Sequence, residues 1–515
     1  MGNHLFDLIR SRMPGPDAPF ALIDDGRRYS YQDVLDASAR FANALASLGV
    51  KPGDRVAVQV EKSIEALMLY LGTVRAGAIF LPLNTAYTPA EIKYFLGDAE
   101  PAVFVCDPAK AEALKPYAEK AGVKLETLGV WRSADVSPGT LSDKALAAAT
   151  SFTDVERGPD DLAAILYTSG TTGRSKGAML SHDNLASNAL SLVDYWRFAK
   201  DDVLLHALPI FHTHGLFVAT NTILLAGASM ILLAKFDPEQ VFRYLPQATS
   251  MMGVPTFYVR LLQDDRLTPA STAHMRLFVS GSAPLLADTH REWRERTGHA
   301  ILERYGMTET NMNTSNPYDG DRVAGTVGFP LPGVSARVVD PESGKGLGAD
   351  EIGMIEVKGP NVFKGYWRNP EKAAAEFKPD GFFITGDLGK IDPAGYVHIV
   401  GRGKDLIITG GYNVYPKEVE TEIEEMPGVI ESAVIGVAHP DFGEGVTAVV
   451  VVKPGATITA KSIATALEQR LAKFKQPKQV FVVADLPRNT MGKVQKNLLH
   501  EQYKDIYAKA MQAGE

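Results

Sequence analysis

From Ser30 the chain sets apolar residues at helical spacing: Val34, Phe41, Leu45 and Leu48 share one face before Gly49 ends the run. Ser30 and Asp33 supply a capping box at its start, so the pattern predicts an amphipathic helix. Arg55 to Val60 then reads as a strand, Ser63 to Arg75 as a helix and Ala78 to Leu83 as a second apolar strand, together a βαβ unit. The same alternation returns with strand-like 250–254, a helix from Pro255, strand-like 277–280, a helix through Trp293 and strand-like 300–302. Near-continuous apolar strands of this kind belong to parallel sheets covered on both faces, and two such sheets are expected.

One apolar stretch is long enough to span a bilayer: residues 215–234 carry no charge over twenty positions. Gly227 divides it into a segment of helical length and a short strand, and Thr220, Asn221 and Thr222 interrupt the first part. A buried α/β core is therefore expected, and no membrane span. From about Ala324 to Val400 short strands with dense glycines replace the alternation, as in "GTVGFPLPGVSARVVD" and "GMIEVKGPNVFKGYW", which predicts a small β-barrel or antiparallel layer. After "GRGKD" the pattern becomes a compact α+β unit. The fold expected is thus α/β plus α+β, with a large domain over 1–402 and a small one over 403–515.

The bulk properties narrow the function classes. At 515 residues and 45% hydrophobic, the chain has ample material for large cores. A net charge of −8, without a block of like charges, argues against nucleic-acid binding. The single Cys106, at the end of Val103-Phe104-Val105, excludes an internal disulfide and a cysteine metal site and suits a reducing compartment, with a cytoplasmic location expected. No apolar leader and no myristoylation pattern stand at the start of the sequence, where position 6 is Phe6.

Candidate chemistry is concentrated in "YTSGTTGRSKG", residues 167–177, which follows the strand-like run 162–166. Glycines and hydroxyls at a strand's end can turn backbone N–H groups towards an anion, and phosphate is the candidate ligand. The spacing is not that of a P-loop, because five residues on from Gly170 stands Ser175 and Lys176 is followed by Gly177. Taken alone, the stretch also reads as a solvated turn. Four further islands follow: "ERYGMTE" at 303–309, "TGDL" at 385–388, "GRGKDLIITGGYNVYPKEVE" at 401–420 and "PRNTMGKVQK" at 487–496.

In order and wording these islands resemble the acyl-adenylating superfamily of acyl-CoA synthetases, adenylation domains and luciferase. "LPIFHTHGLFVAT" at 208–220 and "MNTSNPYDGDRVAGTVGFPLPG" at 312–333 are most similar to the malonyl-CoA synthetases. The resemblance implies that ATP and a carboxylate form an acyl-adenylate and pyrophosphate, after which coenzyme A takes the acyl group and AMP leaves. It implies phosphate contacts from Thr168, Ser169, Gly170, Thr171, Thr172, Gly173 and Lys176, with Arg174 left open. It places nucleotide contacts on Glu303, Arg304, Tyr305, Gly306, Met307 and Thr308, and Mg2+ at Glu309 and Thr168. Asp387 and Arg402 would hold the ribose and phosphate region. Lys493 would be the catalytic cation, on a mobile C-terminal domain that turns about Lys404.

For coenzyme A, the resemblance implies Gly410, Gly411 and Tyr412 along the pantetheine passage, with Lys417, Lys473, Lys475 and Lys478 as candidates for its phosphates. For the acid, it implies His212 and Met307 at the pocket wall, and a clamp of Arg260 and Ser282 on a second carboxylate. Arg260 stands one residue off the apolar face of Val254, Phe257, Leu261 and Leu262, and arginine suits a planar carboxylate. His212 and His214 stand two apart without an evident third metal ligand. The expectation is ligation of malonate, or also methylmalonate, to coenzyme A, an activity of fatty acid metabolism. The alternatives are a short-chain or aryl monocarboxylate, transfer to a carrier protein, or a catalytically silent nucleotide binder. "PRNTMGK" also resembles a lysine acetyltransferase recognition pattern centred on Lys493.

Overall fold

Two parallel-type sheets organise the first part of the chain, as the apolar periodicity predicts. The computed structural model describes residues 2–129, 138–168, 175–409, 412–439, 442–471, 473–489 and 492–507. The chain divides into two compact units. One comprises 1–324, 328–335 and 357–383, and the other 325–327, 336–356 and 384–515.

The first unit contains a six-stranded sheet in the spatial order Lys124–Thr127, Val103–Cys106, Arg55–Gln59, Ile79–Pro82, Leu162–Thr168 and Lys176–Ser181. Its members pair in parallel except the last, which returns antiparallel to Leu162–Thr168. Ser30 caps the helix Tyr31–Ser47 in a capping box, and Ser63 caps Ile64–Arg75, whose residues are nearly all buried. Cys106 is fully buried at its strand end, and burial pushes its thiol up to about 12.

A nine-stranded sheet forms the second layer of this unit. Its centre is parallel: Leu302–Met307, Leu277–Ser280, Ser250–Gly253, Val203–His206, Ser229–Leu232 and Pro19–Ile23. The charge-free stretch 215–234 becomes a π-helical turn His214–Thr220, the helix Asn221–Ala226 and the strand Ser229–Leu232, with Gly227 at φ 66° between them. Among the described residues no helix is long and apolar enough to cross a membrane. One boundary departs from the sequence pattern. The strand expected over 300–302 begins at Leu302 and runs through Glu303 and Arg304, both of them buried.

The second unit holds most of a four-stranded sheet, Ser335–Val339, Gly353–Lys358, Phe383–Ile391 and Val397–Arg402, where the glycine-dense segments predict short strands. It also holds a five-stranded sheet built on the long hairpin Val429–His439 and Gly443–Val452, with helices Pro416–Glu424, Ala460–Glu468 and Lys496–Tyr503 packed on it.

Candidate active site

The hydroxyl-rich island lies between antiparallel strands whose last facing pair is Thr168 and Lys176. Ser169, Gly170, Thr171, Thr172, Gly173 and Arg174 lie outside the described residues. The two strand ends are anchored from the helix Pro89–Ala99: the Tyr94 hydroxyl donates to the Ser175 carbonyl at 2.7 Å, and the Tyr167 hydroxyl donates to Asp98.

Lys176 reaches a cluster that the sequence does not announce. Its Nζ lies 3.9 Å from Glu376 and 5.0 Å above the Tyr366 ring. The Tyr366 hydroxyl lies 2.8 Å from Glu376 and 3.0 Å from Glu309. Burial raises the Tyr366 pKa, and the two carboxylates raise it further, so the phenol keeps its proton as a donor. Glu309 is buried in the turn between the strands Leu302–Met307 and Asn311–Ser315, where Phe363 N–H donates to its carbonyl at 2.8 Å. It is not the start of a helix. Gly306 admits no side chain, because a Cβ there would stand 1.8 Å from the Asn311 carbonyl oxygen; Tyr305, Gly306, Met307 and Thr308 are half-buried along this edge.

A second group of polar residues gathers at the C-terminal ends of the nine-stranded sheet. Such ends are where open α/β sheets bind ligands. His212 is half-buried, whereas His214 is fully buried with its Nδ1 3.3 Å from the Ser282 hydroxyl. Burial holds His214 well below the usual histidine range, and the nearby Arg304 charge adds to this, so the ring is neutral at pH 7. Ser282 has φ 70°, a left-handed conformation that is strained for a residue with a Cβ and is tolerated where surrounding structure enforces it.

Arg304 belongs to this group. Its guanidinium lies across Gly281 so closely that a Cβ there would stand 2.4 Å from Cζ. Among the described residues its Nε and Nη2 are buried without a hydrogen-bond partner. Burial pushes its pKa down to about 9, which leaves it protonated at neutral pH. Arg260, on the helix Pro255–Leu262, has an exposed side chain.

In the second unit the facing pair Asp387 and Arg402 forms an ion pair at 2.7 Å, and Asp387 is buried. Lys493 is near them: partial desolvation lowers its pKa first, Arg402 and Lys404 lower it as like charges, and Asp387 and Asp405 oppose. Lys404 is exposed in the turn Gly403–Asp405. Tyr412 is 59% exposed and stacks on Phe474 at 4.7 Å; Gly410 and Gly411 lie outside the described residues. Lys417 pairs with Glu424 and Lys475 with Glu418, Lys478 lies over the Phe442 ring, and Lys473 is exposed.

The family model for AMP-binding enzymes matches residues 12–367, and that for the AMP-binding enzyme C-terminal domain matches residues 418–493. The chain belongs to the AMP-binding enzyme family. Within that family it is 33% identical to the malonate–CoA ligase of Arabidopsis thaliana, over 93% of this chain and 85% of that protein. It is 36% identical to a feruloyl-CoA synthase of Amycolatopsis, over 96% and 97%. Among solved structures, ATP-bound MatB from Rhodopseudomonas palustris is 64% identical, covering 98% of this chain and all of that one with a TM-score of 0.95.

Tyr366 and Glu376 had no signal in the sequence beyond their place in "KGYWRNPEKAAAEF", where each reads as an ordinary turn or helix residue. Arg304 stood in a nucleotide island, but its side chain turns towards Ser282 and His214.

Proposed function

We propose that this chain is an AMP-forming acid–thiol ligase that joins malonate to coenzyme A through malonyl-adenylate, giving malonyl-CoA, AMP and pyrophosphate. The observation that carries the choice of acid is Arg304. A buried guanidinium with unpartnered N–H groups is costly, by several kcal/mol for an uncompensated charge. A second carboxylate on the substrate supplies both the missing charge and the missing acceptors. A monocarboxylate leaves Arg304 as it is, which disfavours the aryl and short-chain readings. Ser282 and His214 border the same space, and Arg260 is long enough to join from the helix surface.

In the first half-reaction a malonate oxygen attacks the α-phosphorus of ATP and the bond to the bridging oxygen breaks, releasing pyrophosphate. Lys176 and the island 168–173 neutralise the leaving phosphates, and Lys493 spans the attacking carboxylate and the α-phosphate. Asp387 accepts the ribose hydroxyls, with Arg402 beside it. Glu309 and Thr168 fit magnesium, a hard cation held by one or two carboxylates with substrate phosphates and water; bound, it neutralises phosphate charge. In the second half-reaction the coenzyme A sulfur attacks the acyl carbon, AMP departs and the thiol proton is lost. The C-terminal domain, turning about Lys404, brings Tyr412 to that step. We place the enzyme in the cytoplasm, and Lys493, reaching solvent, is open to acetylation that would abolish its charge. The test is pyrophosphate exchange across a panel of acids. Exchange with malonate well above that with butyrate, benzoate or ferulate is expected, and the reverse order overturns the reading.

A further inference from the structure

Lys62 is a buried lysine outside every motif above. It follows the strand Arg55–Gln59 of the six-stranded sheet, just before the helix cap Ser63, yet its side-chain nitrogen points to the other sheet of the same unit. There Nζ lies 3.0 Å from Nδ1 of His206 and 2.8 Å from the His206 carbonyl oxygen. His206 ends the strand Val203–His206 and is itself buried, and its Nε2 lies 2.9 Å from the Gly215 carbonyl oxygen. With Lys62 as the donor, Nδ1 is the acceptor. The ring proton therefore sits on Nε2 and is donated to Gly215.

Gly215 lies at the start of the π-helical turn His214–Thr220. Such wide turns leave carbonyl groups outside the regular ladder and occur at functional sites. Its carbonyl takes a second hydrogen bond from the Thr220 hydroxyl at 3.0 Å, and a Cβ at this position would stand 2.1 Å from the Pro209 carbonyl oxygen. Leu216 N–H donates to the His212 carbonyl at 3.0 Å. The turn is thus fastened directly to the segment carrying His212 and His214, and a shift of Gly215 moves the adjoining His214 against Ser282.

We propose that Lys62 and His206 are positioning residues for the acid pocket: Lys62 fixes the His206 tautomer, and His206 holds the π turn that sets His214 against Ser282. This rests on the reading of Arg304, Ser282 and His214 as the acid pocket.

The proposal separates the two ring nitrogens of His206. In His206→Gln the side-chain amide nitrogen can replace Nε2 as the donor to Gly215. In His206→Asn the side chain reaches only as far as Nδ1, so the Gly215 carbonyl loses that donor. Steady-state kinetics on the full chain should show His206→Asn raising KM for malonate about tenfold while KM for ATP stays within about twofold, with His206→Gln recovering most of the loss. Lys62→Met, which leaves the ring but removes the donor to its Nδ1, should shift KM for malonate in the same direction. If His206→Asn does not fold, as judged by its melting transition, Lys62→Met carries the comparison. An unchanged KM for malonate, equal loss in the Asn and Gln variants, or equal rises for malonate and ATP overturns the proposal. Arg304→Gln, run alongside, separates the two readings. If it too leaves malonate binding unchanged, the pocket assignment fails; if it alone impairs malonate, only the positioning role fails.

Discussion

The Tyr366 hydroxyl lies 3.0 Å from Glu309, and the same oxygen lies 2.8 Å from Glu376, the carboxylate facing Lys176. One phenolic proton therefore lies between the proposed magnesium-binding carboxylate and the partner of the proposed phosphate-binding lysine. Removing it should let Glu309 turn while leaving the fold intact. Tyr366→Phe is expected to lower kcat/KM for ATP in pyrophosphate exchange about tenfold, consistent with loss of one hydrogen bond to a charged group. Glu309→Gln should lower it more. A Tyr366→Phe enzyme with unaltered magnesium dependence would remove Tyr366 from this role.

Arg304 and Arg260 differ in what they lose without substrate. Arg304 is already dehydrated, so a carboxylate gives it a full gain, whereas exposed Arg260 must first give up water. Arg304→Gln is expected to lower kcat/KM for malonate a hundredfold or more, roughly 3 kcal/mol, with butyrate unaffected or improved. Arg260→Gln should lose about tenfold or less. A larger effect at Arg260 reverses the ranking.

Lys493→Ala should abolish most pyrophosphate exchange, by about a thousandfold, yet convert supplied malonyl-adenylate and coenzyme A to thioester at a rate within about threefold of the unaltered enzyme. In the proposed role the lysine's charge serves adenylation, and its pKa is lowered by desolvation and by Arg402. Exchange should accordingly decline as the pH rises through this lowered value, earlier than for an ordinary lysine. Lys493→Arg should move that decline to higher pH.

His182 gives stability a pH dependence independent of catalysis. The ring is buried, its Nδ1 accepts from Leu5 N–H, and burial pushes its pKa down to about 4, with His4 adding to the shift. Between about pH 6.5 and 4 the unfolded chain binds a proton that the folded chain refuses, so stability present above 6.5 falls with falling pH, by up to about 3 kcal/mol at this site. Denaturant titrations should show this slope, and His182→Asn should flatten it.

Much of the fold was legible because apolar strands and capped helices obey local rules. Ser30 caps its helix as the capping box predicts, and Gly227 breaks the charge-free stretch. The misplaced strand at 300–302 failed for the opposite reason: Glu303 and Arg304 are buried polar residues inside a strand, which local patterning forbids and a site requires. The Tyr366–Glu309 and Lys62–His206 contacts were invisible because each joins residues more than fifty positions apart.

The packing of Arg304 across Gly281 also ties two positions together in inheritance. While the guanidinium occupies that space, residue 281 has no room for any side chain. In the proposed pocket, a descendant that trades Arg304 for a smaller residue, and with it the diacid for a simpler acid, frees position 281 to accept alanine. Once that alanine is fixed, an arginine at 304 can return only in another conformation than the present one, so the change of diet is slow to reverse.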